Sequence, residues 1–369
     1  MREVNGKILY VVADGRPGGG TTHVLQLVKH FVQQYDVAIA TDQDSHLAKS
    51  AALMGAKIFH INYFNSKIII KNIRDTYIAL RQFQPDIVHA HGSRAGFYMA
   101  VASKLSKRKM SVYTNHGLHF VNAGGVRRYL GKLAERMTTS TSLFVVYVSK
   151  ADMKVARKMG LAPSKKIKII YNGVELQPQT VRKVAKWDVG FIGRLEYPKD
   201  PLLFIETIKK ARINNAVIVG DGDLRSAVQN SIKKNNLENK VDFIGEVHRD
   251  QVFDILAKLR VVVMTSRWEG LPLLPLEAIS IGTPVVATSV GGLPEIIVDG
   301  AGGILVERDS NQIRSAIEKL LRDPALRQQL VENGKKRIRT EFSIDNMIYK
   351  INMIYYSIIK GDDRNNVRL

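Results

Sequence analysis

The sequence of 369 residues contains no cysteine. Disulfide bonds, thiolate nucleophiles and cysteine-ligated zinc or iron–sulfur sites are therefore excluded. It also lacks a long apolar run, because the best candidate, residues 142–149, is far shorter than the roughly 18–20 residues that span a membrane. The apolar segment at residues 7–13 is too short for a secretory signal and leads directly into glycines. We expect a cytoplasmic protein whose contact with a membrane is peripheral.

Acidic residues are few relative to basic ones: 55 Lys and Arg face 34 Asp and Glu, which gives a net charge of +21. The excess is uneven, since residues 1–180 hold 26 basic and 10 acidic residues, a net +16, and the remainder carries +5. This excess of positive charge favours an anionic partner: nucleic acid, an acidic membrane surface or a phosphorylated substrate. A hydrophobic content of 45% argues against a disordered polyelectrolyte.

Short apolar runs rich in Val and Ile alternate with amphipathic helical stretches. Seven such runs lie between residues 7 and 171 and six between residues 187 and 306, a pattern typical of parallel sheets covered on both faces. The alternation stops at residues 174–184, where Pro178 and the lack of a period indicate a linker. The sequence therefore predicts an α/β protein with two Rossmann-like, doubly wound domains, residues 1–178 and 179–343, that face each other across a cleft. The last helical segment, residues 344–369, should pack back toward the first domain.

A glycine-rich loop at residues 14–21 is the first candidate for a binding site, because ligands of open parallel sheets lie just beyond the strands. The loop follows a predicted strand and precedes a helix, so its backbone N–H groups and the helix N-terminus favour an anion. It is not a P-loop, since no Gly-Lys-Ser/Thr follows, and it misses the dinucleotide-binding spacing. Taken alone, the loop is equally consistent with a plain tight turn.

Two loops of the second half carry complementary charges. Arg194 and Lys199 bracket a loop after one predicted strand, and a planar guanidinium with a compact ammonium suits a diphosphate. Glu269 lies in a loop after another strand, and Glu277 lies about one turn into a helix that begins near Leu273. The N–H groups of that helix favour an anion, and the carboxylates can accept sugar hydroxyls. The alternative is that these residues are ordinary surface side chains with incidental ion pairs.

Four histidines lie near two predicted strand ends: His89, His91, His116 and His119. No H-E-x-x-H pattern or carboxylate trio accompanies them, so a zinc site is disfavoured. His116 could hydrogen-bond a substrate or act as a base, and the others are better explained as structural. The D-x-D strings at residues 42–44 and 221–223 are better explained by turns and helix caps than by metal binding. We therefore expect no metal.

Together these motifs resemble those of the retaining glycosyltransferases of family 4, which have the GT-B fold. The resemblance covers nearly the whole chain and is strongest over residues 187–300. The matching strings there are Gly193-Arg194 with Lys199, Val219-Gly-Asp-Gly222, the E-x7-E pair Glu269/Glu277, Gly282-Thr-Pro-Val-Val-Ala287 and Gly291-Gly-x-x-Glu295. Those in the first half are the glycine loop, His89-Ala-His-Gly92, Thr114-Asn-His-Gly117 and Tyr171-Asn-Gly-Val174. Their order and spacing are specific as a set.

The resemblance implies a donor-binding role for each matching residue of the second half. Arg194 and Lys199 would hold the donor diphosphate beside Gly193 and stabilise it as it leaves. Glu277 would bind the nucleotide ribose, and Glu269 would bind the donor sugar. The backbone that would meet the sugar and the phosphate is that of Gly270, Leu271, Pro272 and Leu273.

In the first half, the resemblance assigns His116 to the donor sugar and places Gly19 and Gly20 near the diphosphate and the acceptor. The implied activity is that of a metal-independent hexosyltransferase that retains the anomeric configuration of a nucleotide sugar and needs no cofactor. By frequency within the family, the donor is expected to be a UDP-sugar.

The acceptor is predicted from the basic first half. Similar enzymes that act on lipid-linked sugars rest a basic, apolar face of this domain on the membrane, and residues 127–137 would form a basic amphipathic helix suited to that contact. We expect a lipid-linked saccharide acceptor in bacterial surface-polysaccharide synthesis. The corresponding location is the inner face of the cell membrane.

Two other functions remain open at the level of sequence. One is a GT-B-fold nucleotide-sugar 2-epimerase, which would form a new nucleotide sugar without an acceptor. The other is a nucleic-acid-binding protein, suggested by the charge of +21. The second is disfavoured because the chain shows no helix-turn-helix, zinc-finger or RNP-like aromatic pattern, and we expect no nucleic-acid partner.

Overall fold

The structure is a computed structural model that describes residues 6–63, 68–106, 110–122, 124–161, 167–176 and 184–361. The chain forms two compact units. The first unit comprises Met1–Asn172 and Ile344–Leu369, and the second unit comprises Gly173–Ser343. The boundary predicted after residue 178 lies outside the described residues.

The first unit is built on a seven-stranded sheet whose described strand pairs are all parallel. Its strands are β1 (Lys7–Val12), β2 (Asp36–Thr41), β3 (Lys57–His60), β4 (Ile87–His91), β5 (Met110–Asn115), β6 (Ser142–Tyr147) and β7 (Ile167–Ile169). Its helices include α1 (Gly19–Phe31), α2 (His46–Leu53), α3 (Ile69–Phe83), α4 (Ser93–Ser106), α5 (Gly125–Thr141) and α6 (Lys150–Lys158). The spatial order β3-β2-β1-β4-β5-β6-β7 reverses direction between β1 and β4.

The burial of strand β1 on both faces of the sheet explains why its sequence is almost continuously apolar. Ile8 and Tyr10 enter one buried cluster with helix α1, whereas Leu9 and Val11 enter a second cluster on the opposite face of the sheet. Because both faces are covered, alternate residues are equally buried and no polar face is needed.

The second unit repeats this architecture with a six-stranded sheet whose described strand pairs are also parallel. Its strands are β8 (Trp187–Ile192), β9 (Ala216–Val219), β10 (Val241–Gly245), β11 (Leu259–Met264), β12 (Val285–Thr288) and β13 (Gly303–Val306). Its helices include α7 (Pro201–Lys210), α8 (Arg225–Lys234), α9 (Arg249–Leu256), α10 (Leu273–Ile281), α11 (Leu293–Ile296), α12 (Ser310–Arg322) and α13 (Pro324–Glu341). The order β10-β9-β8-β11-β12-β13 reverses between β8 and β11.

The last helix, α14 (Ile344–Lys360), belongs to the first unit. Its buried face places Ile351 and Tyr355 in the same cluster as Tyr10, and the Tyr355 hydroxyl lies 2.6 Å from Nδ1 of His89. The predicted fold class is confirmed: two Rossmann-like parallel-sheet units, with the C-terminal helix packed on the first. Among the helices in the described ranges, none has the length and apolar character needed to cross a membrane.

Candidate functional site

In the second unit, the predicted donor residues lie where the sheet order reverses. Gly193 and Arg194 directly follow β8, and Lys199 ends the same loop just before α7. Glu269 lies in the loop after β11, and Glu277 lies in α10, the next helix. Ligands of open α/β sheets bind beyond the carboxyl ends of the strands at such a switch. The fold therefore brings these five residues to the edge where a ligand is expected.

Lys199 and Glu269, which are 70 residues apart in the chain, form an ion pair with 2.6 Å between Nζ and Oε1. The hydroxyl of Ser266 donates to the same carboxylate oxygen, also at 2.6 Å. The carboxylate is nearly buried, whereas 26% of the Lys199 side chain is exposed. The pair therefore fixes the ammonium group in one position while part of the Lys199 side chain stays exposed.

Asp200 holds the end of this loop in place. Its backbone is left-handed, with φ +49°, and its buried carboxylate forms ion pairs with Arg267 at 2.8 Å and with Arg308 at 2.7 Å, of which the second is also a hydrogen bond. Thr265 Oγ1 donates to the carbonyl oxygens of Lys199 and Asp200. Sequence reasoning missed Asp200. An Asp directly before a helix-initial proline suggests an N-cap, but this side chain makes no capping hydrogen bond.

Arg194 is placed differently from Lys199. Its side chain is half exposed, and its guanidinium donates to Glu196 Oε1 of the same loop at 3.1 Å. The loop thus presents one arginine at its surface and one partly buried lysine. This arrangement combines a planar donor fork with a fixed point charge.

Glu277 is buried near the start of α10. The helix begins at Leu273, the predicted position, with Pro272 extended at the N-cap (φ −69°, ψ 142°). Pro275 falls in the first turn, where a missing N–H costs no intrahelical hydrogen bond. Glu277 Oε1 accepts from Nη2 of Arg249, the first residue of α9, at 2.5 Å. Sequence reasoning missed Arg249, since no spacing pattern links it to a carboxylate 28 residues away.

The backbone of residues 270–273 is the part of that loop available to a ligand. The side chains of Leu271 and Leu273 are buried, so they pack in the protein interior rather than facing a ligand. Because Pro272 and Pro275 have no N–H, the N-terminus of α10 offers the N–H groups of Leu273 and Leu274, which favour an anion.

Several glycines of the site serve loop packing. A Cβ atom on Gly292 would lie 2.1 Å from the carbonyl oxygen of Gly270, and the Gly292 N–H donates to that oxygen at 2.9 Å. A Cβ atom on Gly220 would lie 2.0 Å from the carbonyl oxygen of Gly193. These glycines allow neighbouring loops to touch through their backbones, which sets the shape of the site.

In the first unit, the glycine loop follows β1 at the point where the sheet order reverses. Helix α1 begins at Gly19, as expected for a loop that ends in a helix N-terminus. Asp14 and Arg16 form an ion pair at 2.8 Å within the loop. Gly20 faces the imidazole of His116, which a Cβ atom there would approach to 3.9 Å. The loop and His116 are therefore neighbours at one sheet edge.

His89 has the structural role expected for it. Its two ring nitrogens contact the Tyr355 hydroxyl at 2.6 Å and Thr114 Oγ1 at 2.7 Å. Burial lowers the pKa of His89 well below its usual range, and the neighbouring histidines lower it further. The side chain of His119 lies outside the described residues.

His23, His91 and His116 form a compact group in which one ring nitrogen of each lies within 4.8 Å of the others. Nδ1 of His91 lies 3.2 Å from Nε2 of His116. Burial lowers the pKa of His23 to about 4, an effect that Asn172 partly offsets, and burial also lowers the pKa of His91 well below its usual range. His23 and His91 are therefore neutral at pH 7, and His23 is a member that sequence reasoning missed.

Among the described residues, this histidine group has the ligand types and spacing that a metal site would need. Three imidazoles can hold a transition metal, but no carboxylate from the described ranges joins them. They can equally exchange hydrogen bonds with hydroxyl groups of a sugar. The expectation of no metal therefore stays a prediction.

Comparison with known proteins identifies the family. A model of the family Glycosyltransferase Family 4 matches residues 17–178, and one of Glycosyl transferases group 1 matches residues 175–337. A glycosyltransferase of Methanocaldococcus jannaschii is 30% identical over 73% of this chain and 76% of that protein. The UDP-Gal:alpha-D-GlcNAc-diphosphoundecaprenol alpha-1,3-galactosyltransferase of Escherichia coli is 28% identical over 79% and 80%. The structure of Anabaena HepE in complex with UDP and glucose aligns with a TM-score of 0.82 at 20% identity, covering 96% of this chain and all of that one. The chain therefore belongs to the family 4 glycosyltransferases and is a glycosyltransferase with the GT-B fold.

Proposed function

We propose that this glycosyltransferase is a retaining, metal-independent hexosyltransferase. It moves a sugar from a UDP-sugar to a lipid-linked saccharide during the synthesis of a bacterial surface polysaccharide. The observation that carries the proposal is the Lys199–Glu269 ion pair at the switch between β8 and β11, flanked by Arg194 and Glu277. The donor and acceptor classes are supported by the E. coli relative, whose name gives UDP-Gal and a diphosphoundecaprenol-linked sugar, and by HepE, which binds UDP.

The charges of the second unit suit the departure of a nucleoside diphosphate. Cleavage of the donor bond leaves negative charge on the diphosphate and positive character on the anomeric carbon. Arg194, Lys199 and the N-terminus of α10 stabilise the diphosphate as that charge develops. Glu277 accepts the ribose hydroxyls, and Glu269 accepts hydroxyls of the transferred sugar. The backbone N–H groups of Gly270, Leu271 and Leu273 donate to the sugar and the phosphate.

Retention of configuration is assigned to attack on the face that the leaving group vacates, with the leaving phosphate taking the acceptor proton. The state of the two site carboxylates supports this route. Glu269 is oriented by Lys199 and Ser266, and Glu277 is oriented by Arg249, which suits binding roles for both carboxylates rather than a covalent intermediate.

The first unit contributes hydrogen-bonding groups. His116 bonds the donor sugar, while Gly19 and Gly20 present backbone N–H groups near the diphosphate and the acceptor. The closeness of Gly20 to His116 supports a common role for this sheet edge. Neither the epimerase nor the nucleic-acid-binding alternative is favoured by the comparisons.

The test is an assay with UDP-hexoses and a polyprenyl-diphosphate saccharide, in EDTA, with the product's anomeric configuration read by NMR. We expect a retained linkage without added metal. Glu277→Ala and Arg194→Ala should each lose most turnover and remain folded, while Glu332→Gln, on the exposed face of α13, should match the wild type. Wild-type rates in either site variant would overturn the site. A new nucleotide sugar formed without acceptor, or activity that returns only with metal, would overturn the reaction assignment.

Helix α5 is the part of the first unit that we propose contacts an anionic membrane. Its exposed apolar side chains are Val126, Tyr129, Leu130 and Leu133. Its exposed basic side chains are Arg127, Arg128, Lys132 and Arg136. Large apolar residues interspersed with cations along one helix suit the headgroup region of a bilayer. The enzyme would then be peripheral on the inner face of the cell membrane, close to a lipid-linked acceptor.

Vesicle flotation at low salt tests this contact. Each basic residue near an anionic surface contributes about 1 kcal/mol, so replacing Arg127, Arg128 and Lys132 by Ser should weaken binding by roughly 100-fold. Lys233→Ser/Lys234→Ser on α8 removes surface charge elsewhere and should have little effect. Equal recovery with neutral and anionic vesicles would refute the proposed contact.

A further inference from the structure

A buried carboxylate lies on the inner face of the proposed membrane helix. Glu135 of α5 is only 1% exposed, and no lysine or arginine of the described chain forms an ion pair with it. Burying an ionisable group is costly unless hydrogen bonds compensate. Here the Tyr113 hydroxyl bonds both carboxylate oxygens, at 2.9 and 3.0 Å, and Asn115 Nδ2 donates to Oε1 at 2.9 Å. An apolar side chain at this buried position would avoid the cost of burying a carboxylate, so the hydrogen-bonded Glu135 points to a role other than packing.

The hydrogen bonds lead from Glu135 to the turn that carries His116. Asn115 is the last residue of β5, and its side-chain Oδ1 accepts from the backbone N–H of Gly117 at 2.8 Å. Gly117 has φ +132°, a conformation that favours glycine. His116 lies between these two residues, so the Asn115 side chain closes the turn that aims the imidazole.

The carboxylate determines which way the Asn115 amide faces. An ionised carboxylate only accepts hydrogen bonds, so it must receive the NH2 group of Asn115. The amide oxygen is thereby directed to the Gly117 N–H. Burial raises the pKa of Glu135, an effect that the hydrogen bonds from Tyr113, Ser93 and Asn115 oppose. Burial and the adjacent carboxylate raise the pKa of Tyr113, which keeps its hydroxyl protonated as a donor.

Close packing fixes α5 against the same region. A Cβ atom on Gly131 would lie 2.6 Å from Phe120, in the 3-10 helix His119–Asn122 that follows the turn. A Cβ atom on Gly96 of α4 would lie 2.5 Å from the Thr138 side chain of α5. The helix that carries Glu135 therefore has little room to move relative to β5.

We propose that Glu135 is a positioning residue: by orienting Asn115, it fixes the turn that aims His116 and links that turn to helix α5. The inference rests on the proposed function for the role of His116 at the donor sugar. Glu135 itself does not touch the substrate.

The test exchanges donor and acceptor between the two side chains. Glu135→Gln keeps the size of the side chain but replaces one of the two acceptor oxygens by an NH2 donor. Misplacing a reacting or binding group by about 1 Å can cost up to roughly 100-fold, so we expect kcat/KM to fall by about 10- to 100-fold, mainly in kcat. Asn115→Asp places two buried carboxylates together and should be at least as damaging. The double variant restores one donor and one acceptor, since the new amide on α5 can donate to the new carboxylate on β5, which still accepts from the Gly117 N–H.

We therefore expect the double variant to recover at least tenfold in kcat/KM over either single variant, a coupling that independent sites would not show. Rates are measured well below each variant's Tm, and the thermal shift produced by UDP is recorded in parallel. Glu332→Gln is the matched control for a Glu→Gln change. The 1H–15N spectrum of the His116 ring should shift in the single variants and return in the double variant.

The outcomes separate this inference from the proposed function. Absence of transferase activity in the wild type would refute the proposed function, while the His116 spectra would still decide the positioning role. Wild-type kcat/KM and an unchanged His116 spectrum in Glu135→Gln would overturn the inference. A double variant no better than the worse single variant would also overturn it, because the pairing of donor and acceptor would then not be the cause.

Discussion

Asp200 offers the sharpest test of how the second unit builds its site. Its buried carboxylate forms ion pairs with Arg267 at 2.8 Å and with Arg308 at 2.7 Å, and Lys199 precedes it directly in the chain. Asp200→Asn preserves the volume and tolerates the left-handed backbone, since Asn is one of the residues that adopts it readily. The substitution therefore removes one negative charge and leaves two arginines facing an amide.

The expected cost follows from the exposure of the partners. A hydrogen bond to a charged group, as Arg308 makes, contributes about 1.5–3 kcal/mol, and this range is an upper bound for the Arg267 ion pair. Arg267 and Arg308 are 26% and 40% exposed, so solvent screening reduces each contribution to about 1 kcal/mol. A total near 2 kcal/mol should lower the Tm of the second unit by about 4–8 °C, given roughly 2–4 °C per kcal/mol for 150–250 residues. Displacement of the adjacent Lys199 should lower kcat/KM by about 10- to 100-fold.

Differential scanning calorimetry with initial-rate assays measures both effects. Glu332→Gln, which also removes one negative charge from the second unit, is the control and should change neither quantity. An unchanged Tm would refute the energetic argument for the two arginine contacts. A lowered Tm with wild-type kcat/KM at low temperature would show that Asp200 does not position Lys199.

Three further substitutions test other contacts. Gly292→Ala puts a methyl group 2.1 Å from the Gly270 carbonyl oxygen, so we expect about 1–3 kcal/mol of destabilisation by urea titration and weaker UDP binding. In the wild type, the folded-state pKa of His23, about 4, lies below the unfolded value of 6.5, so stability is lost as pH falls from 6.5 towards 4. His23→Gln should therefore make the free energy of unfolding less dependent on pH in this range. The slope of the free energy of unfolding against pH, measured by urea titration, should shrink by about 1.4 kcal/mol per pH unit in that window. An identical slope in the variant and the wild type would contradict the burial of His23. Arg249→Ala leaves Glu277 without its 2.5 Å partner and should weaken UDP binding in calorimetry by about tenfold, with Arg249→Lys intermediate; unaltered affinity would exclude a positioning role.

The fold could be predicted from the sequence because the decisive signals are local. Strand β1 is apolar along its length, as a strand covered on both faces must be. The helix containing Glu277 begins at Leu273 as predicted, since Pro272 favours an extended N-cap. The last helix packs on the first unit because Ile351 and Tyr355 give it a buried face. In each case neighbouring residues carry the information.

The supporting contacts of the site could not be predicted, because their partners are distant in sequence. Asp200 meets Arg308 across 108 residues, and Glu277 meets Arg249 across 28. Spacing patterns describe one helix or loop at a time and are silent about such pairs. The Gly291–Gly292 string has the same limitation: the sequence shows that the backbone can approach something closely, and the structure shows that it meets Glu269 and Gly270.

The ion pairs also bear on how a donor would be recognised under the proposed roles. Lys199 has three N–H donors, and the bond to Glu269 occupies one of them. Under the proposed roles, the remaining two would bond the diphosphate while the first keeps the Glu269 carboxylate in place for the sugar. The second oxygen of Glu269 is then the acceptor for a sugar hydroxyl, because Ser266 and Lys199 both bond Oε1. Under these roles a single lysine would link recognition of the diphosphate to recognition of the sugar, which would account for a cation and a carboxylate 70 residues apart being held together at the end of two adjacent strands.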